Sequence, residues 1–344
     1  MRPARALLFV SATLAAAACG ARTGLLVPLP QEAGVDAADD VADGGSEPDA
    51  AEEPDVTEEP DATDGDAPEE DALQFPDAPN ACPDGGSTLI YVITEQNVLM
   101  GFYPPTASFT TIGTIRCPAG PGDMPFSMAV DRAGVAYVVF SSSVLNSPTN
   151  GRIYRVSTLN AACQATTFVP GTFGFPQLFG MGYSANDPDA GDAGETLYLA
   201  GDRNSNQGGP APARLAALDT KTFSLQPVGL VTPTISEAEL TGTGAAQLFA
   251  FYPASGGIGG TAAIGQIDKA TAALLSSVTL PQIDIANGWA FAFWGGDFYT
   301  FTAPDGADTI VQRYRPSDGT VVQVATTPGL VVVGAGVSTC APQM

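Results

Sequence analysis

The chain of 344 residues contains no histidine, and that absence removes much of the chemistry side chains ordinarily perform. Ser-His-Asp and Cys-His nucleophiles need an imidazole base, and many zinc sites need an imidazole ligand. No G-x-x-x-x-G-K-[ST] phosphate loop and no C-x-x-C pair occurs either. Carboxylates remain. Outside the acidic N-terminal quarter the densest group is Asp187, Asp189, Asp192 and Glu195, in NDPDAGDAGE. Calcium takes several oxygens from one flexible loop, which makes Asp187, Asp189 and Asp192 the metal candidates. Their spacing departs from D-x-[DN]-x-[DN]-G, so a solvated insertion and no cofactor are expected. Glycoside hydrolysis needs two acids across a pocket, and Glu237 and Glu239, with Asp284 in a later loop, could supply them. Trp289, Phe291, Phe293 and Trp294 could stack on a sugar, but large residues alternating along an inner strand read first as core. Arg313 and Arg315 alternate on an outward-facing strand and read as surface.

A recurring unit positions these residues. Five triplets carry a central aromatic: Ile90-Tyr91-Val92, Ala136-Tyr137-Val138, Leu197-Tyr198-Leu199, Leu248-Phe249-Ala250 and Phe298-Tyr299-Thr300. The steps between them are 46, 61, 51 and 50 residues. A second register starts at Leu99, Ile153, Leu215, Ile264 and Val311, with apolar residues at positions one and four and a Thr, Asn or Asp seven residues after the start. Its steps are 54, 62, 49 and 47 residues. Two registers with one period, about four short strands per period and Gly/Pro punctuation define the expected class: an all-β, five-bladed β-propeller. A single blade has two apolar faces and covers them only by stacking on its neighbours. Asp219 and Asp268 recur at one turn and are expected to cap local backbone groups.

Innermost strands are expected at 126–131, 178–183, 238–242 and 289–294, each ahead of its triplet. None precedes Ile90. The missing strand is expected in 330–339, so the end of the chain completes the first blade and closes the ring. Closure then orders the cysteines. Cys82 enters the first blade and Cys340 ends its last strand, so these two should bridge; Cys117 and Cys163 pair by elimination. A Cys82–Cys340 bridge would stabilise by about 5 kcal/mol in the chain-entropy model.

The N-terminal quarter is of another kind. Arg2 and Arg5 precede an apolar run over 6–18, too short to span a bilayer as a mature helix, and residues 1–18 read as a signal peptide. Residues 31–80 hold 19 Asp or Glu and no Lys or Arg, which leaves the stretch 19–80 with little to bury and makes it a disordered linker. The reach of residues 31–80 is about 40 Å as a coil and about 150 Å extended. Residues 31–80 supply −19 of the formal net charge of −24. The domain at 81–344 is only mildly acidic and has no basic stripe, which argues against nucleic-acid binding.

Ala16-Ala17-Ala18-Cys19-Gly20 resembles the lipobox of bacterial lipoproteins. The resemblance implies lipidation of Cys19 and, with Gly rather than Asp at position 20, an outer-membrane or cell-surface address. CGARTGL followed by an acidic Ala/Pro-rich tract is similar to myxobacterial surface lipoproteins. VDRAGVAYVV (130–139) resembles the NHL and YVTN propeller repeats, whose Asp and Gly before a strand match Asp131 and Gly134. These resemblances imply a monomeric, lipid-anchored envelope propeller. Long loops at 141–150, 201–213, 253–261 and 303–308, with the interblade connections 117–124 and 281–288, should share one face and form the binding face. A binding module for a protein or glycan is the first expectation; a carboxylate- or metal-dependent glycan-active enzyme and a structural envelope lipoprotein are the alternatives.

Overall fold

Every strand-forming stretch alternates side chains between two faces, and in the inner strands of the blades both faces are largely buried, whereas the outer strands are largely exposed. The structure, a computed structural model, describes residues 89–144, 147–188, 194–203, 211–254 and 259–344. The signal peptide, the linker, Cys19, Cys82, Asp189 and Asp192 lie outside the described residues. Blade 1 contains β1 (Ile90–Thr94), β2 (Val98–Tyr103) and β3 (Ser108–Thr114). Blade 2 is β4 (Asp123–Val130), β5 (Val135–Ser142), β6 (Ile153–Ser157) and β7 (Cys163–Ala165). Blade 3 is β8 (Leu178–Ala185), β9 (Glu195–Arg203), β10 (Arg214–Asp219) and β11 (Ser224–Leu230). Blade 4 is β12 (Glu239–Gly242), β13 (Leu248–Pro253), β14 (Gly260–Ile267) and β15 (Leu274–Ile285). Blade 5 is β16 (Trp289–Trp294), β17 (Asp297–Thr302), β18 (Thr309–Arg315) and β19 (Thr320–Thr327), and the last strand is β20 (Val332–Gly336).

The sheets are five, each of four strands, in sequence order except that β20 heads the sheet β20-β1-β2-β3. This is a five-bladed β-propeller closed by its last strand. Tyr91 faces Gly336, Val92 faces Ala335 and Ile93 faces Gly334 in antiparallel register, and the Glu95 N–H donates to the Val331 carbonyl at 2.9 Å. Without that strand the ends of the chain would meet only through side chains.

Alternation allots each face of a blade to a different neighbour. In β1, Ile90 and Val92 pack with blade 5, against Ala290, Ala292 and Phe301. Tyr91 and Ile93 of the same strand pack with blade 2, against Met128, Val130 and Val138. The same division repeats at the other three interfaces. Four of the five triplet aromatics, Tyr91, Tyr137, Tyr198 and Tyr299, are buried at these seams, and Phe249 is half-buried in the fifth.

At the axis the innermost strands meet with almost no space between backbones. A Cβ on Gly242 would lie 2.1 Å from the Tyr183 carbonyl oxygen, and one on Gly180 would lie 2.2 Å from that of Ala238. Gly334 would bring a Cβ to 2.7 Å from the Met128 nitrogen and Gly336 to 2.7 Å from that of Val130. These glycines serve close approach rather than turn geometry. A disulfide joins Cys117, in the connection after blade 1, to Cys163 on the outer strand of blade 2. Closing 46 residues of sequence is worth about 4 kcal/mol in the chain-entropy model. Cys340 is also in a disulfide.

Asp219 and Asp268 cap their turns as expected: Asp219 accepts the Lys221 and Thr222 N–H groups, and Asp268 those of Ala270 and Thr271. Asp131 accepts the Val135 N–H at 2.8 Å, with Gly134 at φ 77° completing the turn. Arg313 and Arg315 are not plain surface. Both reach the buried Asp297, at 3.6 Å and 3.3 Å, because the cross-strand neighbours of β18 and β17 bring that carboxylate beneath them.

The axial glycines give a direct test. Gly242→Ala should cost about 3 kcal/mol or more, or prevent folding, because overpacked backbone has nowhere to move. Gly319→Ala, at φ 72° with open space around it, should cost only about 1 kcal/mol. Thermal and urea unfolding of the two variants measures the difference.

Candidate functional site

Four antiparallel strands per blade put the turns between second and third strands on the same face as the connections between blades. On that face the starts of four innermost strands frame a cavity of about 160 Å³ at the axis. Met124, Pro125 and Phe126 come from β4, Glu239 from β12, Trp289 from β16 and Val333 from β20; Glu95, Ser141 and Asn287 complete the rim. A dry cavity of about 150 Å³ accommodates a benzene ring, so this mouth has room for one ring or side chain.

Glu239 opens β12 with only 5% of its surface exposed. Its Oε2 accepts the Ser127 hydroxyl at 2.7 Å, and Ser127 Oγ in turn accepts the Met181 N–H at 3.1 Å. The relay ties β4, β8 and β12 together across the axis. Burial pushes the Glu239 carboxyl well above its ordinary value, and the nearby Asp202 carboxylate adds to the effect; the Ser127 hydrogen bond opposes it only in part. The neutral acid is therefore the favoured form. Asp202, at the end of β9, is buried and accepts the Glu237 N–H. That bond holds Glu237 at φ 55°, a left-handed conformation costly for a residue with a Cβ.

Of the carboxyl groups singled out for hydrolysis, Glu239 alone lines the mouth. Glu237 is buried behind it, and Asp284 lies not in a loop but on β15, exposed and opposite Thr261. The long β15 continues pairing through a register irregularity, which sequence pattern could not disclose. The aromatic run divides in two. Phe291 and Phe293 are core between blades 4 and 5, whereas Trp289 packs against that core and also lines the mouth, and its buried indole N–H has no acceptor among the described residues. Trp294 lies at the opposite end of the same strand.

The acidic insertion also divides. Asp187 is exposed, and Asp189 and Asp192 lie outside the described residues. Among the described residues no group of three or more acidic or cysteine side chains converges as a metal site. Glu195 is no solvated member of that group: it opens β9 on the face opposite the mouth, and Oε1 accepts the Arg132 N–H at 2.6 Å. Sequence reasoning missed Ser127 and Asp202. The signal for each was a lone polar residue in an apolar strand, FSMAV and LYLAGD.

No protein-family model matches the chain, and no curated protein matches it in sequence. Solved structures it resembles include hydrazine synthase from Kuenenia stuttgartiensis, at 12% identity, 74% of this chain, 68% of that one and a TM-score of 0.37. An α-L-arabinofuranosidase from Clostridium thermocellum shows 12% identity over 61% of this chain and 71% of that one, with a TM-score of 0.39. A family 117 glycoside hydrolase from Zobellia galactanivorans shows 10% identity over 60% and 70%, also at 0.39. The class, a five-bladed β-propeller, is defined by the five sheets themselves.

The buried acid predicts a pH signature. Its folded-state value lies above the ordinary 4.5, so the native chain binds more protons than the unfolded chain, and this group's contribution falls as pH rises past about 4.5. Glu239→Gln removes that term. Its melting temperature should equal or exceed that of the parent at about pH 8, with the gap closing towards about pH 4. Ser127→Ala should instead cost about 1–3 kcal/mol by removing the hydroxyl that donates to buried Glu239 and accepts from the Met181 N–H. Thermal unfolding across pH measures both.

Proposed function

We propose that the chain is a lipid-anchored cell-envelope propeller that binds a glycan or protein through its looped face, the axial mouth receiving one ring or side chain of the ligand. The observation that carries this reading is that Trp289 and Glu239, an aromatic ring and a carboxyl group, line one small cavity, with the buried Trp289 indole N–H lacking an acceptor among the described residues. A buried donor without an acceptor costs free energy unless something supplies one, and the indole also offers an apolar face. Cys19 would carry the anchor, and the acidic linker would hold a monomeric domain away from an outer-membrane or cell surface. The reading calls on no cofactor.

Carboxylate-dependent hydrolysis is the second reading, favoured by one observation: Glu95 and Glu239 both line the mouth, and burial shifts Glu239 towards its acid form. Two measurements separate these readings. On a glycan array the chain should bind without releasing product, and Trp289→Ala, shown to be folded by circular dichroism, should weaken binding by about tenfold or more. Product release abolished by Glu239→Gln would instead establish the enzyme. Cys19→Ser should move the protein from the membrane to the soluble fraction and abolish fatty-acid labelling.

A further inference from the structure

On the face opposite the mouth, between blades 2 and 3, lies a larger and more polar cavity of about 470 Å³. Its walls come from the Asp131–Gly134 turn, from Arg155 on β6, from Tyr137 on β5 and Tyr183 on β8, from Glu195, and from the turn carrying Thr220 and Lys221. We propose that this cavity is a second binding site, for a small hydroxylated anion of the sugar-acid or sugar-phosphate class, held at its charged end by Arg132, Arg155 and Lys221 and along its hydroxyls by Tyr137, Tyr183 and Thr220. It stands apart from the axial mouth and does not rest on the function proposed for that mouth.

Two buried groups already point to a ligand. The Tyr183 side chain is 4% exposed, and its hydroxyl, set towards the Tyr137 and Thr220 hydroxyls, has no partner at hydrogen-bond geometry among the described residues. Arg132 is 7% exposed, and its Nη1 has none either. The remainder of Arg132 is fixed. Its Nε donates to Thr339 Oγ1 at 2.7 Å, and the Thr339 hydroxyl donates to Glu195 Oε2 at 2.7 Å. That chain immobilises the guanidinium, so an incoming anion meets a pre-organised donor. The Tyr137 and Tyr183 rings, 5.8 Å apart, form an apolar wall suited to the carbon frame of a sugar. The volume is that of an ordinary small-molecule pocket.

Charge in the cavity changes with pH. Asp131 faces Arg155, Tyr137, Tyr183 and Glu195; Glu195 faces Arg132, Asp131, Tyr183 and Thr339. Burial raises Asp131 to about 6 and Glu195 to about 7, so both lose their negative charge beside Arg132, Arg155 and Lys221 as the medium becomes mildly acidic. Anion affinity therefore increases as pH falls through that range.

Isothermal titration of the full chain with galacturonate, glucose 6-phosphate and glucose, at about pH 5.5 and about pH 8, tests the site. One or both anions should bind about tenfold more tightly at the lower pH, and glucose should bind at least tenfold more weakly than they do. Whichever anion binds more tightly identifies the source of the charged group. Tyr183→Phe deletes one hydroxyl and keeps the ring in place, and Lys221→Gln deletes an exposed charge, so both should fold as the parent does, and each should weaken binding by about fivefold or more. No heat of binding below about 10 mM for either anion would overturn the proposal, as would affinities unchanged in both variants.

Discussion

Around the axis of this ring, several innermost strands meet nearly backbone to backbone. Gly180, Gly182, Gly242, Gly334 and Gly336 permit that approach, each occupying a place where a Cβ would fall within 3 Å of a neighbouring backbone atom. The rest of the molecule follows from this crowding. Among the described residues the inner strands crowd the axis, and two cavities lie beside that crowding. One lies at the axis on the looped face. The other lies off the axis, at a seam between two blades.

The same crowding decides how polar groups enter the interior. Ser127 stands among buried apolar neighbours on β4 and is stable there because its hydroxyl both accepts from β8 and donates to β12. Burial of Glu239 favours its neutral form, and Ser127 supplies its carboxyl group with a hydrogen bond. On the far face, Arg132, Thr339 and Glu195 link blade 2, the tail of the chain and blade 3 in one hydrogen-bonded run. Closure of the ring is thus secured twice, by the pairing of β20 with β1 and by this polar bridge beyond the strand's end.

Much of the architecture was legible from the residues. The recurring central aromatics mark seam positions because only a large ring fills the wedge between twisted blades. The absence of an inner strand before Ile90, with a surplus strand near the C-terminus, pointed to closure and to its partner. Asp219, Asp268 and Asp131 announced their turns, since an Asx side chain acts on backbone two to four residues away. The sites were less legible. Glu237 and Glu239 lie two residues apart, yet one lines a cavity and the other is held behind it by Asp202. Arg313 and Arg315 look like surface until Asp297 is placed under them by strand pairing. Glu195 belongs by sequence to an acidic insertion and by contact to Arg132.

What the sequence by itself determined was whatever depends on period and local backbone: strand alternation, blade count, turn chemistry, the strand that closes the ring and, through the missing histidines, the chemistry that is excluded. Only the tertiary structure decided which polar groups share an environment. Ser127 and Glu239 are 112 residues apart, and Arg132 and Thr339 are 207 apart. Contacts of that kind are set by how the blades rotate about their axis, a quantity with no signature in local spacing. Their energies arise from desolvation at the meeting point, which no single strand carries alone.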